Sequence, residues 1–378
     1  MKIQTHLYLI SAQATPNLTP ALDKTLTPKR IIFLVSPDMQ KNAQWLEQTL
    51  KPRGIKITYW EIAHAFDIEY LQHRIMELLE AETDQSKSIA LNATGGTKPM
   101  SIAAYEVFRA YDLPIFYIHP EHDRLIWLHP REQPAIELAD RIRLEAFLQA
   151  HGAQVQSIER NPVASKPHEA TRKIIQGIHH YTKALGTINW LASTARNSLV
   201  SKPLDQKQRG QKELTELINL FTETGLIHLV GHRIHFHDEE SRFYVNGGWI
   251  EGYVFSLITK MRSRHPEIQD VARSINVLRS TTRGEVPNEI DIALLVNNRL
   301  CIIECKTRKW QGASTGANAI YRLETLKDLL GGLQAKAMLI SYVDLPKYDK
   351  QRADDLNIQI CAGTGILNLR SQLEKWIG

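Results

Sequence analysis

Residues 288–306 read NEIDIALLVNNRLCIIECK, which sets Glu289, Asp291, Glu304 and Lys306 around two apolar runs. Asn297 and Asn298 separate the runs, the composition of a tight hairpin turn. With that turn, facing residues have position numbers of constant sum, and Asp291 falls opposite Glu304. Alternation then puts Glu289 and Asp291 on one face and Glu304 and Lys306 on the matching face of the partner strand. Facing Cβ atoms are about 5 Å apart, and two carboxylates at that spacing destabilise a sheet unless something neutralises them. A divalent cation would do so, and an oxygen donor set favours Mg²⁺ or Mn²⁺ over zinc. Such an ion activates water and offsets the charge growing on a phosphodiester. The competing reading is an exposed polar face whose acids pair with Lys306 and Arg308. Apolar residues on both faces of these strands argue instead for burial, where unpaired charge is costly.

The order of aspartate, hairpin and Glu-x-Lys resembles the PD-(D/E)XK nuclease core. That resemblance implies an ion held by Asp291, Glu304 and the Cys305 carbonyl. It also implies a Lys306 that orients or helps deprotonate water and stabilises the pentavalent phosphate. A glutamate on the first helix of that fold approaches the metal, which points to Glu251 in GGWIEGYVFSLITKMRS. By itself, Glu251 in a first turn simply complements the helix dipole. Downstream, TRKWQGASTGANA reads as a mobile loop, in which Trp310 either stacks on a base or fills a core gap. Alternating strands and helices then run to the carboxyl end, as expected of this nuclease class.

The remainder of the chain has to position this hairpin. Its 378 residues suffice for two or three domains, and 43% hydrophobic with 23% charged residues place it among ordinary globular proteins. No apolar run reaches the length of a membrane span, and MKIQTHLYLISAQ turns polar too soon for a signal peptide, so a cytoplasmic protein with no membrane partner is expected. Cys301, Cys305 and Cys361 lack zinc spacing and read as core thiols. A net charge of +5 is compatible with a polyanionic partner.

Residues 1–152 alternate strands and helices, with strands expected at 6–11, 31–35, 55–60 and 88–91 and helices from 20, at 37–50, 68–80, 101–111 and 138–150. That order implies a Rossmann-like parallel sheet with ligands at the carboxyl ends of its strands. The turn NATGGTKPM is the informative part. Gly95 and Gly96 allow close backbone approach, their amides with Thr94, Thr97 and the helix start form an anion-friendly nest, and Lys98 adds positive charge. The turn is neither a dinucleotide fingerprint nor a P-loop. Together, Ser11, PNLTPAL, IIFLVSP and NATGGTKPMS resemble the CARF domain of CRISPR ancillary nucleases. The resemblance implies a homodimer with cyclic oligoadenylate, cyclic tetra-adenylate in particular, bound across its two-fold axis. The ligand would touch Ser11, Gln13, Ser36, Thr94, Gly95, Gly96, Thr97, Lys98, Pro99 and Met100.

Residues 153–167 are polar, with two prolines, and are expected to be a linker. In 168–240, helices at 172–185, 187–195 and 213–224 followed by the hairpin HLVGHRIHFH suggest a winged-helix-like segment. Lys202, Lys207, Arg209 and Lys212 offer charge for phosphates, although such modules also serve as spacers or dimer contacts. His228, His232, His235 and His237 are not read as a metal site, because alternation spreads them over both faces.

The expected fold is therefore α/β: an N-terminal Rossmann-like CARF domain, the winged-helix-like segment, and a PD-(D/E)XK restriction-endonuclease-like domain at 241–378. The expected function is a cyclic tetra-adenylate-activated endonuclease of type III CRISPR antiviral defence, using Mn²⁺ or Mg²⁺ on DNA, single-stranded RNA, or both. A ligand-gated nucleic-acid-binding regulator and an ungated restriction-type nuclease are the alternatives.

Overall fold

The computed structural model describes residues 3–82, 88–119, 123–162, 165–281, 284–307, 310 and 315–378. Its first part alternates β1 (Thr5–Leu9), α1 (Thr15–Leu22), β2 (Arg30–Val35), α2 (Gln40–Leu50), β3 (Lys56–Glu61) and α3 (Ile68–Ala81). It continues with β4 (Ile89–Asn92), α4 (Lys98–Ala110), β5 (Ile115–His119), β6 (Arg124–His129), β7 (Ile136–Glu137) and α5 (Leu144–Ala150). These strands make one sheet, ordered β3-β2-β1-β4-β5-β6-β7, parallel through β5 and antiparallel beyond it. The order reverses between β1 and β4, so their carboxyl ends border the crevice where such sheets take ligands. Two helix starts in this first part lie five or more residues from expectation. Helix α1 already begins at Thr15, with Pro16 in its first turn, where a missing N–H costs nothing. Helix α5 is shorter than 138–150, since Leu138 and Ile142 bury their side chains from irregular chain.

The stretch expected as linker opens instead with β8 (Ala153–Glu159), an edge strand of the second sheet. The middle segment follows as α6 (Ser165–Gln176), α7 (Ile178–Thr194), α8 (Gln206–Arg209), α9 (Lys212–Glu223), β9 (Ile227–Val230) and β10 (Arg233–Phe236). The helices break at Gly177 and not at Gly186; a Cβ at 177 would lie 2.6 Å from the Tyr181 ring, whereas Gly186 has open space. An isolated bridge joins Val200 to His235, which completes the strand and helix order of a winged helix.

Next come α10 (Glu239–Phe243), a wide π turn at Tyr244–Gly248, α11 (Trp249–Met261), β11 (Ile268–Thr281), β12 (Gly284–Val296) and β13 (Arg299–Lys306). The chain ends with α12 (Thr315–Gly331), β14 (Lys336–Ser341), α13 (Lys347–Asp355), β15 (Ile358–Ala362) and α14 (Leu369–Ile377). The second sheet is ordered β15-β14-β13-β12-β11-β8, parallel between β13 and β15 and antiparallel elsewhere. No described helix is long and apolar enough to cross a membrane.

Packing makes a stack of layers. One face of the second sheet (Ile292, Leu294, Cys301, Ile303) shares a core with the winged-helix residues Leu185, Ile188 and Leu217 and with Trp249 and Val254 of α11. Its other face (Ala293, Leu295, Leu300, Ile302) shares a core with Tyr8 and Phe33 of the first sheet and with α5. The far side of the first sheet packs on α3 and α4. The second sheet is thus enclosed between the N-terminal part and the winged helix. Asp270, 1% exposed in β11, reinforces one seam: it accepts from the Leu144 amide (3.0 Å) and from Arg160 Nη2 (2.9 Å), and Arg160 also holds Glu145.

Candidate functional site

The β12–β13 hairpin turns at Asn297 and Asn298, both at positive φ (46° and 55°), as a two-residue primed turn requires. Its register runs from Val296↔Arg299 to Ile292↔Ile303, the constant sum expected. The ladder ends there, one step short of Asp291 and Glu304. Strict alternation also fails at this point, a correction to the expected faces. Ile290 packs with Ala293 and Leu295, while Ile292 and Leu294 pack on the opposite side, so β12 switches faces at Asp291. Across from it, Ser274 of β11 takes φ 46°, and the same switch occurs there. Freed from the ladder, the Asp291 carboxylate reaches across the strand gap and accepts from the Cys305 amide at 2.7 Å.

Around Asp291 lies a cleft of about 500 Å³, lined by Glu251, Glu289, Asp291, Cys305, Lys306 and Thr307, with Phe243, Asn246 and Trp310 at its wall. Glu304 is buried (4% exposed) and does not line the cleft. Its carboxylate pairs with Lys306 Nζ, which also lies 3.9 Å from Asp291 Oδ2, and Arg322 Nη1 is 3.8 Å from it. Lys306 therefore ties the two carboxylates together. Burial, then the Glu304 charge, pushes the Asp291 carboxyl up to about 7. Burial, then Asp291, pushes Glu251 well above the usual carboxyl range. Lys306 is raised despite burial, because Glu304 and Asp291 favour its charged form.

This donor set fits a hard cation. Two carboxylates whose mutual repulsion is only partly relieved by Lys306 and Arg322 offer oxygen ligands alone. Among the described residues, no three His, Cys, Asp or Glu side chains gather as a ligand set, so the arrangement relies on two carboxylates. His228 and His235 pair across the wing and stack at 5.1 Å. The three cysteines are free and buried, and burial pushes Cys301 and Cys361 up to about 12. The sequence reading did not single out Asn246, Phe243 or Arg322 for this site, and no spacing signal marks them. Trp310 is half-buried, donates to the Val343 carbonyl at 3.4 Å and still lines the cleft. Residues 308, 309 and 311–314, part of the expected mobile loop, lie outside the described residues, and Arg308 is among them.

The other expected site divides in two. Ser11, Gln13, Thr94 and Gly96 line a cavity of about 360 Å³ whose far wall is the second sheet's turn, Asn297–Arg299, with Gly331 and Leu333. Ser36 is buried and borders a separate cavity of about 580 Å³ with His64, Phe66 and Asp67. Within the glycine turn, several side chains are already committed to the fold. Thr94 Oγ1 donates to Asn92 and accepts from the Ile118 amide, Thr97 caps α4 and donates to the Ala65 carbonyl, and Met100 is core. Gly95 is required by packing, since a Cβ would meet the Leu9 carbonyl at 2.1 Å. Pro99 stands in the first turn of α4, and backbone amides with the exposed Lys98 remain for an anion. The loop carrying Phe66, 76% exposed, was missed from sequence.

Comparison with known proteins agrees with both halves. The family described as "Card1 CARF domain" matches residues 5–147, and that described as "Card1-like, endonuclease domain" matches residues 238–378. The crystal structure of protein VC1899 from Vibrio cholerae is similar over 99% of this chain and 98% of its own, at 31% identity and TM-score 0.90. Can2 from Sulfobacillus thermosulfidooxidans, solved in complex with cyclic tetra-adenylate, is similar over 99% of each chain, at 27% identity and TM-score 0.83. A type III CRISPR defence DNA nuclease activated by cyclic oligoadenylate shares the fold alone, at 15% identity and TM-score 0.62, over 100% of this chain and 52% of its own. No curated protein matches the sequence.

Proposed function

Because the chain belongs to the Card1 family, with that family's CARF domain and its endonuclease domain, we propose that it is a metal-dependent endonuclease switched on by a cyclic oligoadenylate. The observation that carries the reading is the single hairpin that brings Asp291, Lys306 and Glu304 together at one end and borders the Ser11–Thr94 cavity at the other. Asp291, Glu304 and the Cys305 carbonyl would hold Mg²⁺ or Mn²⁺, which when bound polarises the phosphate and supplies hydroxide near neutral pH. Lys306 orients water and stabilises charge on the phosphoryl oxygens. Glu251, whose carboxyl is raised by burial and then by Asp291, is placed to hold or give a proton.

Cyclic tetra-adenylate is the proposed activator, as the ligand held by Can2. It would meet Ser11, Gln13, the Thr94–Met100 turn and Ser36. Its symmetry suits a homodimer, whose isologous contact presents each nest twice. Exposed Phe66 and Ile102 (76% and 47%) supply apolar surface for a second copy. The division proposed is 1–152, 153–167, 168–240 and 241–378, with 153–159 belonging to the second sheet. The substrate is DNA, single-stranded RNA, or both, in type III CRISPR defence.

The test incubates purified protein with plasmid and with single-stranded DNA and RNA, with and without cyclic tetra-adenylate and Mn²⁺. Cutting that requires both additions and is lost in Glu304→Ala is the expected result. Equal cutting without the nucleotide removes the sensor, and no cutting under any condition removes the enzyme.

A further inference from the structure

Two side chains of the cleft wall have no part in the proposed phosphate chemistry. Phe243, at the end of α10, is 38% exposed although its neighbours hold that element fast. Arg242 is buried and donates from Nη1 to the Ala192 carbonyl at 3.0 Å and from Nε to the Glu239 carboxylate at 2.7 Å. Val245 and Trp249, just beyond, are fully buried. The Phe243 ring lies against Gly248, where a Cβ would come within 2.5 Å of it, so the last glycine of the π turn is what seats the ring. Asn246, inside that turn, lines the same cleft, and its Oδ1 is buried without a hydrogen-bond donor, a cost that persists until a partner arrives. We infer that Phe243, Asn246 and Trp310 form a subsite for one unpaired nucleobase next to the scissile phosphate, which makes the cleft select single-stranded nucleic acid.

The chemistry of the wall singles out a base. A nucleobase joins a flat π face, on which aromatic side chains stack, to an edge of donors and acceptors. The sugar and phosphate have no such face, and Asp291, Glu251 and Lys306 of the same cleft already answer the phosphate. Trp310 has its Nε1 committed to the Val343 carbonyl at 3.4 Å, which leaves its ring for stacking. The Asn246 carboxamide matches adenine best, because it can accept from the exocyclic amine while donating to the neighbouring ring nitrogen. In a duplex each base is stacked on both faces, so a nucleotide enters such a subsite only when unpaired or extruded. The cleft, at about 500 Å³, has the size of pockets that enclose ligands of this kind, roughly 300 to 1,000 Å³. The π turn itself is a local departure from helix of the sort that recurs at functional sites.

The inference rests on the nuclease reading for the phosphate beside the base, and binding is therefore measured apart from cutting. Full-length protein with activator, and Ca²⁺ in place of Mn²⁺, is titrated with fluorescent strands of about 12 nucleotides, single or duplex. Phe243→Leu keeps an apolar side chain against Gly248 but has no ring, and should lose about tenfold or more in single-strand affinity while duplex affinity stays within about twofold. Phe243→Tyr restores the ring and should bind single strands within about twofold of wild type. Wild type should hold oligo-dA about fivefold or more tighter than oligo-dT, and Asn246→Ala should erase that difference. Equal losses on both strand types in Phe243→Leu would overturn the inference. So would an absence of single-strand binding, or a base preference that is missing from wild type or survives in Asn246→Ala. Selective single-strand binding with these variant effects, by a protein that cuts nothing in Mn²⁺, leaves the subsite standing and removes only the nuclease.

Discussion

Asp291→Asn should make the metal-free protein more stable while abolishing cleavage. The carboxyl stands near pKa 7 because it is buried and faces the Glu304 charge, whereas an unfolded aspartate titrates near 3.9. With the folded value raised, the unfolded state binds fewer protons between those two pH values. Stability from this group therefore falls as pH rises through that window and stays low above it. About 3 units at 1.36 kcal/mol each set an upper bound of about 4 kcal/mol above pH 7. Asparagine keeps an oxygen for the Cys305 amide, so the substitution removes charge without stranding a donor. Because Lys306 already relieves part of the repulsion, the expected gain is roughly 1 to 3 kcal/mol at pH 8 and near zero at pH 4. Urea unfolding in EDTA at both pH values measures it. Adding Mn²⁺ at about 100 times its Kd should stabilise wild type by about 2.7 kcal/mol and the variant far less. A variant that is less stable than wild type at pH 8 without metal, or equally stabilised by Mn²⁺, would refute the account of two carboxylates held in mutual repulsion.

Gly247 has φ 118°, and a Cβ there would lie 2.2 Å from Thr307 Oγ1, so Gly247→Ala should displace Thr307 and lower kcat by more than about tenfold, with calorimetric activator binding unchanged. Asp270→Ala leaves Arg160 and the Leu144 amide without their acceptor and should cost about 3 kcal/mol in denaturant unfolding at pH 7. Burial raises the Asp270 carboxyl, but Arg160 and the Leu144 amide outweigh it and hold it low; its contribution is present above pH about 4 and fades as pH falls through the folded value, so the variant's deficit should shrink in acid. Asn298→Ala removes the side-chain partners of Gln269 and Asp123 at the seam between the two sheets, and the ratio of cleavage with activator to cleavage without it should fall at least about fivefold.

The parts of this molecule written in local chemistry were legible. Asn-Asn between two apolar runs gave the hairpin and its register, and NATGGTKPM gave the strand, turn and helix at the sheet's switch point. What depended on partners far along the chain was not. AQVQSIE reads as polar connector because an edge strand needs only a few residues, Ala153, Val155 and Ile158, packed inward, and its partner β11 lies more than a hundred residues on. Gly177 and Gly186 are equal as helix breakers in the sequence, and only the packed structure, with the Tyr181 ring against Gly177, distinguishes them. The face switch at Asp291 depends on Ser274 accepting a positive φ, which no period-two pattern announces. That switch is also what removes Asp291 from the ladder and lets it line the cleft, so strict patterning failed at the proposed site.

The same hairpin accounts for how binding at one domain can reach the other. Its turn stands in the wall of the cavity that holds Ser11 and Gln13, where Asn298 bonds Asp123 and the Leu333 amide donates to Gln13 Oε1 at 3.3 Å. Its open end carries Asp291 and Glu304, about 20 Å away at roughly 3.3 Å per residue. Between these ends every apolar side chain is packed, one face against the core of the N-terminal domain and the other against the winged helix and α11. Close-packed strands of this kind do not deform locally; they tilt as a unit or stay put. A ligand that competes for Gln13 or moves the Thr94 turn would therefore act on the seam, and the expected response is a change in the placement of Asp291 relative to Glu251, the α11 residue that lines the same cleft.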